Sequence, residues 1–411
     1  MRRFYQRIQL GLAGLSIARA CLGAIEPESV RIPDHYGLGG FLVVEWRGLG
    51  DLPGGAFDSV ATAVNYDGSV IVGSSQSARS VDNPPAPGSV REQPFLGTEA
   101  FWWSAETGMI GLGDLPGDEW FHSFASAVSD DGRIVVGGSW SEDSMRGLIP
   151  GAEGFRFDAQ TGEMNPLGVL TNGMQQHSPA LGVSPDGSYI VGQVAYHDGW
   201  YQGYVWTDRT GIVGVGNLGS IIHFGQLRDA TDDGVFVGSD HMTIAGGACQ
   251  VPVSADRSRG LVARDGDCGT ILAIAADGSV AVGAAGATRQ AARWTRDGVE
   301  FLPGPDGVTF ERSQANAVSH DGRVAAGWGS IGGRSVAVVW NEFGDAVLVD
   351  DLLAAASGTN GAAGWSFGQA LGVSGDGRVL VGYGVNPAGN REAWMLRLDT
   401  IDPISTRLMV R

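Results

Sequence analysis

Ala125–Gly137 reads ASAVSDDGRIVVG. Taken alone it is a β-hairpin. Ala125, Ala127 and Ser129 alternate with Ser126 and Val128, an Asp-Gly pair follows at Asp131-Gly132, and Ile134-Val135-Val136 form the return strand. Asp-Gly supplies the positive φ angles of a tight two-residue turn, and β-branched residues on both sides favour strands. Gly137 is expected to end the second strand.

The stretch recurs. Variants stand at Ala61–Gly73, Ala180–Gly192, Leu227–Gly238, Ile271–Gly283, Ala315–Gly327 and Ala370–Gly382, with turn glycines spaced 44 to 64 residues apart. A second hairpin follows each copy. It opens on segments such as AFWW (Ala100–Trp103), GYVW (Gly203–Trp206) and AVVW (Ala337–Trp340), and its last strand often runs into Leu-Gly and Leu-Pro-Gly, as at Gly111–Gly117. One such unit cannot bury both faces alone, so neighbours must stack. Seven units predict an all-β fold, a seven-bladed β-propeller of four-stranded antiparallel blades. A β-solenoid or open array is the alternative. Closure of the ring is legible too. The final unit has strands at Ala370–Val373, Val379–Val381 and Ala393–Leu398 and lacks a fourth, while a spare strand stands at Val43–Trp46. The segment after it, GLGDLPGG (Gly48–Gly55), matches GLGDLPGD (Gly111–Asp118), which reads as part of a fourth strand. The N-terminal strand is therefore expected to complete the last blade and leave no free edge.

The pattern GLGxLPGG…AxAVSxDGxxVVGxS…AFxW…TGMxxLG closely resembles the HAF repeat of bacterial extracellular repeat proteins, from about Val43 to Leu398. That resemblance implies a secreted or surface protein whose repeat residues are structural and carry no known chemistry. Some relatives end in a sorting tail or an autotransporter barrel; TRLMVR, the last residues here, matches neither.

Glycine is 66 of 411 residues without a collagen period, and charged residues are 18%, a composition of many glycine turns rather than of disorder. The net charge of −18 opposes nucleic-acid backbones. Arg2, Arg3 and Arg7 precede an apolar run, Ile8–Ala18, and Ala18-Arg19-Ala20 offers a small-residue cleavage site. Residues 1–20 thus read as a signal peptide, 21–40 as a leader, 41–398 as the propeller and 399–411 as a tail. Cys21 after the cut raises lipidation, although Ala-Arg-Ala is a poor lipobox. The run is too short to span a bilayer. The expectation is a secreted, periplasmic or surface-associated monomer without a transmembrane segment, cofactor or metal.

Cys249 precedes the third strand of the fourth unit and Cys268 follows its fourth strand, nearly symmetric about the turn at Asp256–Gly260. An antiparallel hairpin places them opposite each other, so a disulfide is expected within that unit.

Turns inside the hairpins are short, whereas Ser74–Glu99, Gly138–Glu153 and Val194–Gln202 are extended connections on the other face. Variable loops on a rigid scaffold are the usual place for binding. The residue three before each first strand is expected at the channel mouth on that face: Asp58, His122, His177, Phe224, Cys268, Arg312 and Phe367, with Trp120, Phe121, His223, Asp240, His241, Glu311, Trp328, Trp365 and Tyr383 nearby. Flat rings with hydrogen-bonding tips suit a glycan or small polar ligand. Asp58, Asp240 and Glu311 are the carboxylates for any acid–base chemistry, but no phosphate loop, nucleophile elbow or HExxH pattern accompanies them. The histidines come from different loops with no metal-ligand spacing. The leading expectation is a non-catalytic interaction propeller binding a glycan or extracellular protein; the alternatives are a glycan hydrolase or lyase at the channel mouth and a purely structural surface protein.

Overall fold

The computed structural model describes residues 41–81, 97–117, 120–145, 151–170, 176–197, 200–218, 224–244, 247–256, 260–263, 268–356 and 362–400. The expected signal peptide, the leader with Cys21, His223 and the tail after residue 400 lie outside the described residues. The hairpin repeats form seven antiparallel sheets of four strands each, paired in chain order except the last. Blades 1 to 6 span Ser59–Gly111, Ser123–Pro166, Ala180–Gly214, Gln226–Ala263, Gly269–Phe301 and Ser313–Leu348. Blade 7 combines Ser366–Val373, Val379–Val385 and Arg391–Thr400 with the N-terminal strand Phe41–Gly50. That strand runs antiparallel to Arg391–Thr400, with Val43 opposite Leu398 and Trp46 opposite Leu396, and closes the ring as expected.

The hairpin turns are longer than the Asp-Gly pair implies. In blade 2 the Ser129 N–H donates to the Ile134 carbonyl and the Gly132 N–H to the Ser129 carbonyl, both at 2.9 Å, so residues 130–133 form the loop. A two-residue type I′ turn needs positive φ at both central residues. Here Gly132 has φ of 71°, and among the described residues Arg289 is the only non-glycine with positive φ. Side chains fix the longer loop: Ser129 Oγ donates to Asp131 Oδ1 (2.6 Å) and accepts from the Ile134 N–H (2.9 Å). Ser184 with Asp186, Ser319 with Asp321 and Ser374 with Asp376 repeat the pair. Blade 4 is one residue shorter, its Thr231 N–H donating to the Val235 carbonyl.

Every blade carries a β-bulge at one position. The register of first and second strands slips between Ala61 and Ala63, Ala125 and Ala127, Ala180 and Gly182, Leu227 and Asp229, Ile271 and Ala273, Ala315 and Ala317, and Ala370 and Gly372. The bulge turns a carbonyl onto the neighbouring strand, and the repeated glycine stands there. A Cβ on Gly137 would collide with the Phe124 carbonyl oxygen, and one on Gly73, Gly192, Gly238, Gly283, Gly327 or Gly382 would meet the corresponding oxygen. Gly137 therefore does not end its strand: it lies inside Ile134–Ser139 and makes room for the bulge.

Blades are clamped to one another by a serine at the start of the first strand. Ser123 Oγ accepts from the Ala100 N–H of blade 1 (2.9 Å) and donates to the Gly113 carbonyl in the connection after that blade. Ser59 does the same with Ala393 and Gly50, and Ser178 with Gly154 and Gly168. Leucines of the connections plug the seams: Leu52 and Leu115 are buried, and their N–H groups donate to Ser75 and Ser139 Oγ at the ends of second strands. The outer hairpins contribute buried tryptophans, including Trp103, Trp294, Trp340 and Trp394, as core packing.

The Cys249–Cys268 disulfide is present, with Cα atoms 5.6 Å apart. It differs from the expected placement. Cys249 lies in the third strand of blade 4, Gly247–Asp256, and Cys268 precedes the first strand of blade 5, Gly269–Ile274, so the bond crosses the seam between blades. The fourth strand, Gly260–Ala263, pairs only as far back as Val253, which leaves Cys249 beyond the hairpin it was expected to staple. Residues 194–202, expected as a loop, are largely strand. They extend a hairpin in which Val194 faces Gln202 and His197 faces Trp200.

Candidate functional site

The first strands of all seven blades enclose an axial cavity of about 440 Å³. The bulge positions along its wall are Thr62, Ser126, Leu181, Arg228, Leu272, Asn316 and Leu371. Two of their polar side chains hold the ring together: Thr62 Oγ1 donates to the Ala125 carbonyl and Asn316 Nδ2 to the Ala370 carbonyl, each in the next blade at 2.8 Å. The position after the bulge is Ala or Gly except in blade 4, where it is Asp229. Asp229 accepts from the Ala230 N–H and, across the seam, from the Ile274 N–H of blade 5, both at 2.9 Å. Burial pushes its carboxyl up to about 7, against the two backbone donors.

At the turn end the ring is laced by backbone hydrogen bonds between consecutive blades. Tyr66 N–H donates to Asp130, Asp130 to Pro185, Ala276 to His320, His320 to Gly375 and Asp376 to Tyr66, over 2.9–3.3 Å. Pro185 has no N–H, and there the Asp186 N–H donates to Asp232 Oδ1 at 2.8 Å. The Asp229–Ile274 bond supplies the link from blade 4 to blade 5. Side chains also cross this end: His320 Nε2 lies 3.3 Å from Asp130 Oδ1, and the Tyr66 and His320 rings meet at 5.4 Å. Burial, with nearby Asp232, Asp131 and Asp186, raises the Asp130 carboxyl above its ordinary range despite His320.

The residues expected at the opposite mouth do not line this cavity; the structure places them in several seams. Asp58 forms a bidentate ion pair with Arg391 of blade 7, at 2.5 and 2.7 Å. His122 and His177 hold equivalent positions. Their Nδ1 atoms accept from the Thr98 and Ala152 N–H groups of the preceding blades at 3.1 Å, and burial lowers both imidazoles to about 4. Asp240 is buried, with its oxygens on the Leu218 and His241 N–H groups. Glu311 is exposed and accepts from Ser330 Oγ and the Gly333 N–H; Arg312 beside it is exposed. Asp58, Asp240 and Glu311 thus belong to three different seams. Trp365 stacks on Phe367 at 5.8 Å and meets Trp46 edge-on, with Phe367 buried in the seam between blades 6 and 7. Tyr383 is half-buried beside Gly368, Trp328 is half-buried opposite Gln314, and Trp120 is half-buried before blade 2.

One group does come together. Phe224, 43% exposed, stacks on Tyr201 at 5.6 Å and meets the His241 ring at 5.6 Å; Tyr201 in turn packs edge-on to His177 at 5.7 Å. This aromatic platform joins blades 3 and 4 on the long-connection face. Tyr201 and the Arg228–Asp229 pair were not among the expected residues. Tyr201 lies in a segment that reads as loop, whereas Arg228 and Asp229 are visible in sequence as the two departures from a small or neutral repeat position. Among the described residues no group of three or more His, Cys, Asp or Glu is placed to hold a metal ion. Nor is any described helix long and apolar enough to cross a membrane.

No protein-family model and no curated protein matches the chain. Solved structures do. TolB from Acinetobacter baumannii superposes with a TM-score of 0.42 at 14% identity, covering 67% of this chain and 62% of that one. Oligogalacturonate lyase from Vibrio parahaemolyticus gives 0.47 at 12%, covering 88% and 98%. A gluconolactonase from Xanthomonas campestris gives 0.40 at 13%, covering 86% and 89%. The likeness is one of outline; the architecture rests on the strand pairing, and function on the residues of this chain.

Proposed function

We propose that this chain is a non-catalytic interaction propeller acting outside the cytoplasm, binding a glycan through its long-connection face. The aromatic platform carries the reading: Phe224 stacked over Tyr201, flanked by His177 and His241, offers an exposed flat surface beside polar tips. Sugar rings stack on such faces, and the rim supplies hydrogen bonds. The non-catalytic part is supported by how the acids and imidazoles are used. Asp58, Asp240, His122 and His177 each hold a seam through a backbone N–H or an arginine. The inter-blade disulfide and the resemblance to HAF-repeat proteins support an oxidising location.

The test is a glycan-array and protein-capture screen with the wild type and the Phe224→Ala and Tyr201→Ala variants. The reading expects glycan binding that either substitution weakens about five- to tenfold, the scale of losing one aromatic contact of about 1–1.5 kcal/mol. Binding untouched by both substitutions, or turnover of a bound glycan, overturns it.

A further inference from the structure

We propose that the axial channel holds a second, separate site in which Arg228 binds the oxyanion of a small molecule, a carboxylate or a phosphate. Three observations converge on that residue. First, it is the one charged side chain among the seven bulge positions of the wall, where blades 3, 5 and 7 place Leu181, Leu272 and Leu371. Second, it is not used for the ring. Thr62 and Asn316 at the same position bond to the next blade, whereas Arg228 Nε is buried without a hydrogen-bond partner. The neighbouring Asp229 carboxylate is taken by the Ala230 and Ile274 N–H groups. Third, the space beside it exists: the cavity of about 440 Å³ is also lined by Gln314 and Gln369.

An arginine left without a counter-charge in a channel wall is destabilising, and a leucine, as in three sister blades, would avoid that cost. A guanidinium matches carboxylate or phosphate oxygens in paired, charge-assisted hydrogen bonds. A cavity of 440 Å³ holds the volume of about 15 waters at ~30 Å³ each, room for a small organic acid as well as for inorganic phosphate. Polarity along the channel orients the ligand. Asp130 and Asp232 sit at the turn end, so the oxyanion meets Arg228 while the neutral part of the molecule lies against the glutamines. This site is distinct from the aromatic platform and stands or falls without it.

The experiment is calorimetric titration and thermal unfolding of the full chain with sodium phosphate, acetate and gluconate, at constant ionic strength against chloride, with glucose as the neutral control. Wild type, Arg228→Met and Arg228→Lys are compared. The expected result is saturable binding of one equivalent of phosphate or of a carboxylate per chain, absent with glucose. Arg228→Lys weakens it at least about tenfold, because the paired geometry is lost. Arg228→Met abolishes it and unfolds at a higher temperature without ligand. Response to carboxylates alone assigns an organic acid, and response to phosphate alone assigns a phosphate ester; either supports the site. No anion-specific binding to wild type, or equal binding to Arg228→Lys, overturns the proposal even if Arg228→Met fails to fold.

Discussion

Blades 2 and 4 have the same four strands and the same bulge, yet they are attached to their neighbours by different chemistry. Blade 2 uses a neutral hydroxyl, Ser123, and a neutral imidazole, His122, both paired with backbone groups of blade 1. Blade 4 has Gly225 where that serine stands, and its seams run through carboxylates: Asp240 on Leu218, Asp232 on Asp186 and Asp229 on Ile274, with a disulfide added. The lesson is that a propeller specifies a geometry for each seam and not a residue. Any acceptor that reaches the neighbour's N–H holds the ring, but its titration then becomes part of the protein's stability.

The sharpest way to test what the two blades share is to attack the bulge. Gly137→Val in blade 2 and Gly238→Val in blade 4 both drive a side chain into a backbone carbonyl. Each is expected to cost more than about 4 kcal/mol in urea unfolding, enough to prevent folding. A blade that tolerates the change has no obligatory bulge. What they do not share is tested next by Cys249→Ser. Loss of the disulfide is expected to cost about 2–4 kcal/mol and to raise amide exchange first along Gly269–Ile274, with blade 2 unaffected.

The two blades also answer pH in opposite directions. His122 has its imidazole held at about 4, below the ordinary 6.5, so between those values the unfolded chain takes up a proton that the folded one refuses. Stability from this group is present at neutral pH and falls as pH drops through that window. Asp229 has its carboxyl raised to about 7 from 3.8, so the folded chain retains a proton that the unfolded one releases. Its contribution is present in acid and falls as pH rises through about 7. Both groups keep partial contact with solvent, so each effect is expected at about 1–2 kcal/mol rather than the full shift. His122→Asn should flatten the acid side of the stability profile and Asp229→Asn the alkaline side, read by urea unfolding at about pH 4.5, 6 and 8. A profile moved on the same side by both variants would erase the distinction. The smallest effect is Ser123→Ala, about 1–2 kcal/mol for a buried N–H left without an acceptor, with no pH dependence.

Much of this architecture was legible because a repeat is read several times over. Seven copies of one hairpin, a spare N-terminal strand and the matching GLGDLPG segments are enough to predict blade number and closure. The same copies hid the reason for their glycine. Gly137 reads as a strand terminator because a bulge leaves no mark in composition, and the turn reads as two residues because Asp-Gly also ends a four-residue loop. The disulfide partners were legible from their near-symmetric positions about one turn, while the seam they bridge depended on how far the short fourth strand of blade 4 runs. The polar residues were least legible. Asp58, His122 and His177 lie just before first strands and Asp240 lies inside a second strand, and sequence places a ligand there as readily as a neighbouring blade.

Local chemistry therefore settled what the chain is made of: hairpins, their number, the cysteine content and the acidic net charge all follow from short-range pattern and composition. The packing of one blade against the next decided the rest. It made seam clamps of several expected mouth residues, brought Tyr201 and Phe224 face to face across the seam between blades 3 and 4, and left the Arg228 Nε without a partner in the channel wall. Side-chain partners across a ring are set by register and curvature that no single repeat contains.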